Sequence, residues 1–243
     1  MAAARKETEP THAASFGDAV ARIDFAATGT VDDVKAIIHA HPLLNLRLRI
    51  IDQMMIENIG NDAVFDMPRE LLKDDDPKIR LAAIDAYVHD QGAMRRLADI
   101  CKLMLDNIEN PDQLVAASAG GNLTRIGNKG CPGAYDTLLA SLDKRVKGKT
   151  LGDFDDFDDF AMSPGRVCED KTATPAHKTH AIAVLKAMSA LDPTKMHQVR
   201  FFALDSMLTC DPDGGKKWLA GFASDKDERV KKHAADLLAR QKP

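Results

Sequence analysis

Residues 71 to 91, LLKDDDPKIRLAAIDAYVHDQ, constrain the fold of this chain more than any other stretch. Pro77 suits the first turn of a helix, where its missing N–H costs nothing, and Asp74, Asp75 and Asp76 bring negative charge and a capping side chain to the positive helix end. From that start Ile79, Ala82, Ala83, Ala86 and Tyr87 share one face, while Leu81, Ile84 and Val88 form a second apolar row beside it. A helix that is apolar on two faces is packed from two sides, as in the middle of a stack.

A stack implies repetition, and the unit recurs at a period of a few tens of residues. HPLLNLRLRIIDQM (41–54) sets Arg47 against Arg80 and Ile51-Asp52 against Ile84-Asp85. MHQVRFFALDSM (196–207) supplies Val199-Arg200 and Leu204-Asp205, and DERVKKHAADLL (227–238) supplies Val230-Lys231 and Ala235-Asp236. NPDQLVAASAGGNL (110–123) is a weaker copy, with Leu114 in place of Ile79 and Val115 and Gly120 at polar positions. VDDVKAIIHA, PRELLKD, MRRLADICKLMLDNI, AYDTLLASLDKRV, HKTHAIAVLKAMSAL and GKKWLAGFA lie between the copies as first helices of each pair. The expectation is an all-α chain of five or six antiparallel helix pairs. It has a loose tail at 1–15, repeats over 16–147, an irregular insertion over 148–176, and repeats with a terminal cap over 177–243, in one continuous domain. Abundant Ala and Leu with only 5% aromatic residues favour helix over sheet in the same way.

The pattern resembles the HEAT-repeat family and its bacterial HEAT-like relatives. Asp76, Pro77, Ile79, Arg80 and Ala83 match that family's Asp-Pro-x-Val-Arg-x-x-Ala signature, and Asp227, Val230 and Lys231 match it more loosely. The resemblance implies a right-handed superhelical solenoid whose second helices line a concave surface. Some HEAT-like proteins are DNA glycosylases or bilin lyases, and others bind iron through paired His-Glu motifs; this chain has no His-Glu pair. Arg47, Arg49, Arg80, Arg125 and Arg200 are candidates to line a concave face, with Arg47, Arg80 and Arg200 at matching repeat positions. Asp52, Asp85 and Asp205 follow three of them closely, a spacing that suggests a ladder of ion pairs between neighbouring repeats.

The rhythm fails between Lys144 and Pro175, where charge is sorted. Lys144, Arg145, Lys147 and Lys149 come first, and Asp153, Asp155, Asp156, Asp158 and Asp159 then surround Phe154, Phe157 and Phe160. Three rings at a spacing of three form an apolar row if the segment turns helical, and each contributes roughly 1.5–3 kcal/mol only when buried. Two readings stand side by side: the rings tuck back onto this chain's own helices, or residues 154–160 dock on a basic partner surface. Calcium is a weaker third, because the alternating ligands and central Gly of an EF-hand loop are missing.

Reactive chemistry is sparse. A formal net charge of −4 disfavours nucleic acid as the main partner. GGNLTRIGNKGCPG (120–133) never forms a phosphate loop, and its glycines read as helix termination and a turn. Cys101, Cys131, Cys168 and Cys210 include no CxxC pair, and the plain reading is idle thiols in a reducing compartment. His39 and His41 point in different directions, His177 and His180 share a helix face without a convincing ligand set, and no base is tied to Cys131. No apolar run is long enough for a membrane span, and the opening residues lack the core of a secretory signal, which places the chain in the cytoplasm. The expected function is a non-catalytic protein-binding scaffold, adaptor or assembly subunit with no cofactor, no metal and no catalytic residue. Its partner is another protein, with self-association left open. The alternative is a HEAT-like enzyme or nucleic-acid binder using the concave face.

Overall fold

The computed structural model describes residues 30–58, 62–86, 96–148, 158–192 and 197–240, and all regular elements among them are helices. The expected tail at 1–15 lies outside this set. The chain divides into two compact units, 1–100 and 101–243.

In the first unit α1 (Thr30–Ala40), α2 (Leu44–Asn58), α3 (Asp62–Leu71) and α4 (Pro77–Asp85) pack on one another in sequence, and α4 also rests on α2. The start of α4 follows the local chemistry: Pro77 is in the first turn, and the Asp76 carboxylate accepts the Lys78 amide at 2.9 Å. Ile79, Ala83 and Ile84 are fully buried, so both apolar rows of this helix find neighbours.

Helix α5 (Leu97–Asn107) begins at the end of the first unit and runs into the second, where α6 (Gln113–Gly130), α7 (Ala134–Gly148), α8 (Asp158–Ala161), α9 (Ser163–Glu169) and α10 (Pro175–Ser189) follow. Then come α11 (His197–Cys210), α12 (Pro212–Ala220), a 3₁₀ turn (Gly221–Ser224) and α13 (Glu228–Arg240). Here α7 packs on α6 and α10, α10 on α11, and α11 on α12 and α13. Val230 and Ala234 of α13 are buried against Leu204 and Leu219, with Leu237 and Leu238 partly buried against the same cluster.

Two features differ from expectation. The insertion contains helices α8 and α9, held between α6 and α11. The four cysteines are not idle thiols: Cys101 is bonded to Cys131 and Cys168 to Cys210, with Cα separations of 5.3 and 4.9 Å. Neither bond could be read from spacing, because helix packing brings together residues 30 and 42 positions apart.

Candidate functional site

Arg47 and Arg200, which the sequence pattern aligns, are gathered with acidic residues at the loops between helices, and the same construction appears in both units among the described residues. In the first, Arg47 Nε donates to the Ile38 carbonyl near the end of α1, and its Nη2 donates to both oxygens of Asp74 at 2.9 and 2.8 Å. In the second, Arg200 Nε donates to the Ser189 carbonyl at the end of α10 at 2.7 Å, and its two terminal nitrogens fork onto Asp225. Each guanidinium thus ties the end of the preceding helix to the loop that follows the next helix, before α4 in one case and before α13 in the other. The aspartates expected to form the ladder of ion pairs do not hold these arginines. Asp52 pairs with Arg49 within α2, at 3.2 Å, and Asp205 meets His233 at 2.8 Å, while Asp74 and Asp225 hold the repeat arginines.

Each clamp aspartate is also a turn residue. Asp74 accepts the Asp76 amide and Asp225 the Asp227 amide, both at 2.9 Å, and Asp76 and Asp227 in turn cap the next helix through the Lys78 and Arg229 amides. Asn110 and Asp112 repeat this loop before α6, and nearby Arg145 donates to the Ile108 carbonyl at 3.0 Å. Burial pushes the Asp74 and Asp225 carboxyls up, but the neighbouring amides and arginines outweigh it and hold both below the ordinary carboxylate value.

These contacts decide where the arginines expected on a concave face stand. The Arg200 side chain is 6% exposed and Arg47 12%, each committed to a carbonyl and a carboxylate. Arg80 Nη1 donates to the Asp74 and Asp75 carbonyls at 2.7 and 3.0 Å. Their position at the repeat signature therefore builds loops, and none of the three is presented as a free cation to a ligand.

A second cluster joins α7, α10 and the loop before α10. The Tyr135 hydroxyl donates to Asp170, which also accepts the Thr172 amide at 2.7 Å and its hydroxyl at 2.8 Å. Burial, then Asp170, push the Tyr135 hydroxyl up to about 12, and Tyr135 first, then Thr172, holds Asp170 below its ordinary value. The His177 ring stands edge-on to Tyr135, with centroids 5.7 Å apart. Its Nδ1 accepts the Thr174 amide at 3.2 Å, closing a capping box, and its Nε2 is 3.2 Å from Asp136 Oδ1. Tyr135 and Asp170 went unremarked in the sequence because no local motif links residues 35 apart. His177 is thus a capping residue, Cys168 and Cys210 are bonded to each other, and among the described residues no group of three His, Cys, Asp or Glu is placed to hold a metal. His39 turns to Asp74 and His41 accepts the Leu43 amide.

The insertion is the remaining candidate. Phe160 is fully buried, and an added Cβ on Gly120 would fall 2.6–2.9 Å from three of its ring atoms. Gly120 is therefore the floor on which the ring lies, in the interior of α6, where helix termination was expected. Phe160 is a core residue and cannot be a ring offered to a partner. Phe154, Asp155, Asp156 and Phe157 lie outside the described residues; Asp158 and Asp159 belong to α8, with side chains outside that set. The Gly-rich stretch does contain turn glycines, Gly127 with φ of 68° and Gly133 with φ of 83°. A cleft of about 320 Å³ lies beside α6 and α9, lined by Gly121, Thr124, Arg125, Met162 and Arg166, and Arg166 pairs with Glu169 at 3.2 Å.

No helix among the described residues is long and apolar enough to cross a membrane. No family model matches the chain, and no curated protein does. Among solved structures it is similar to two crystal structures of engineered proteins from the Northeast Structural Genomics Consortium. One is 14% identical with a TM-score of 0.47, covering 96% of this chain and 65% of that one. The other is 13% identical with a TM-score of 0.47, covering 92% of this chain and 95% of that one. Likeness at this level assigns neither family nor function.

Proposed function

We propose that this chain is a non-catalytic protein-binding scaffold or assembly subunit made of stacked HEAT-like helix pairs, each packed on the next in a solenoid. The observation that supports this reading is the clamp made twice, Arg47 on Asp74 and Arg200 on Asp225. The most repeat-specific polar groups hold helix ends to loops, which leaves helix faces as the surface on which function acts. The partner class is another protein. The alternative is an enzyme or nucleic-acid binder on a basic concave face, and the bonds of Arg47, Arg80 and Arg200 to this chain's own carbonyls and carboxylates favour the scaffold reading over it.

The test is cross-linking in the cells that encode the chain, followed by reconstitution of any stoichiometric complex from the two purified proteins. A saturable protein complex with a shallow salt dependence supports the reading. Binding to DNA or RNA that weakens steeply with salt would transfer the function to nucleic acid, because released counterions impose that slope.

A further inference from the structure

We propose that the two disulfides are structural staples installed by an external disulfide oxidant, and that the chain works in an oxidising compartment rather than in the reducing cytoplasm its composition suggested. The case rests on how the cysteines come together. Helix α9 approaches α11 closely because residue 165 is glycine: an added Cβ there would lie 2.9 Å from the Cβ of Ser206. One turn further along each helix stand Cys168 and Cys210, with Cα atoms 4.9 Å apart. A contact that involves no sulfur thus fixes the distance at which the sulfurs bond.

The other pair is placed by different means. At Gly127 the backbone takes a φ of 68° that a side chain would strain, and the Cys131 amide returns to the Gly127 carbonyl at 3.0 Å. The Asn128 side chain accepts the Gly133 amide at 3.0 Å and holds the rest of the turn. That kinked turn carries Cys131 to within 5.3 Å of Cys101, Cα to Cα, on α5. Both separations fall in the range that closes a disulfide without backbone movement.

Two independent packing devices therefore align two pairs, and no cysteine is left over. Cys101 and Cys131 are 8% and 0% exposed, the burial of a structural bond rather than of an exchange-active one, and in the other pair Cys168 is 6% exposed while Cys210 is only half-buried. Formation of each bond is an exchange. One cysteine thiolate attacks the disulfide of the oxidant to give a mixed disulfide, and the second cysteine thiolate displaces the oxidant's sulfur. Two electrons and two protons pass from the pair, and the oxidant leaves as a dithiol. Reducing cytoplasm opposes that reaction, and oxidising compartments drive it.

Replacing a cysteine pair could simply unfold the second unit, so the decisive experiment uses the unaltered chain. Cells of the organism that encodes it are quenched in acid, denatured, and treated with a maleimide before and after reduction, with the added mass counted on the intact chain. The expected result is no label before reduction, four after it, and linked peptides joining 101 to 131 and 168 to 210. Any label before reduction, or a crossed pairing, overturns the staples. Recovery of the oxidised chain in the cytoplasmic fraction overturns the compartment.

Discussion

Gly120 shows how much one missing atom can decide. Gly to Ala inside a helix ordinarily stabilises by about 1 kcal/mol, because the backbone loses less freedom on folding. At this position the new Cβ would meet a rigid, fully buried ring rather than the end of a flexible side chain. Gly120→Ala is therefore expected to lose roughly 1–3 kcal/mol in urea unfolding, and a second change, Phe160→Leu, should return part of that loss. A more stable Gly120→Ala protein would show that Phe160 does not lie on α6. The clamp carboxylates give a second expectation at the same scale. Asp74 and Asp225 sit below 3.8 in the folded chain, so the unfolded chain binds protons first as pH falls. Their contribution is complete well above pH 4 and is lost progressively as pH drops through the folded values. Melting followed from pH 6 to pH 2 should fall most steeply below about pH 4. Asp74→Asn should flatten that fall, and an unchanged acid slope would mean that the pair does not form.

At the scale of the element, the helices were legible and their fastenings were not. DDDPKIRLAAIDAY announces its own start, and Asp76 caps α4 through Lys78 as local chemistry dictates. Helical periodicity likewise marked α1, α6, α10 and α13, because burial of one face leaves a trace every three or four residues. The partner of Arg200 is 25 residues away, that of Tyr135 is 35, and that of Cys168 is 42. Such distances are set by how helices stack, so sequence spacing pointed to a ladder built on Asp52, Asp85 and Asp205, whereas Arg200 is held by Asp225. The insertion divided along the same line. Its period-three phenylalanines suggested a helix with an apolar row, which α8 supports at Phe160, but only packing shows that α6 offers a glycine to receive the ring. The buried fastening should also outweigh the exposed ones. Arg200→Ala strands Asp225, 14% exposed, and is expected to cost about 3 kcal/mol. Lys231→Ala breaks an exposed pair with Glu228 and should cost less than about 1 kcal/mol. Chemical denaturation of both variants measures the difference, and equal losses would remove Arg200 from its role as a clamp.

At the scale of the molecule, the two units differ in one property that an experiment can isolate. All four cysteines fall in 101–243, and the first unit holds none. The closed loops span 30 and 42 residues, and the chain-entropy relation puts each bond at roughly 3–4 kcal/mol of restraint on the unfolded second unit. Reduction under native conditions is therefore expected to speed amide hydrogen exchange across 113–148 and 163–210 while leaving 30–58 and 77–85 at their oxidised rates. The opposite perturbation is Ile84→Asp, which forces a charge into a fully buried site of the first unit. That variant should raise exchange over 30–86 by orders of magnitude, and the staples should keep the second unit protected. If reduction loosens both units equally, or Ile84→Asp unprotects 163–210 as strongly as its own unit, the chain unfolds as one cooperative body. The clamps of each unit would then stabilise the whole chain, and the separate contribution assigned here to the disulfides would have to be shared with it.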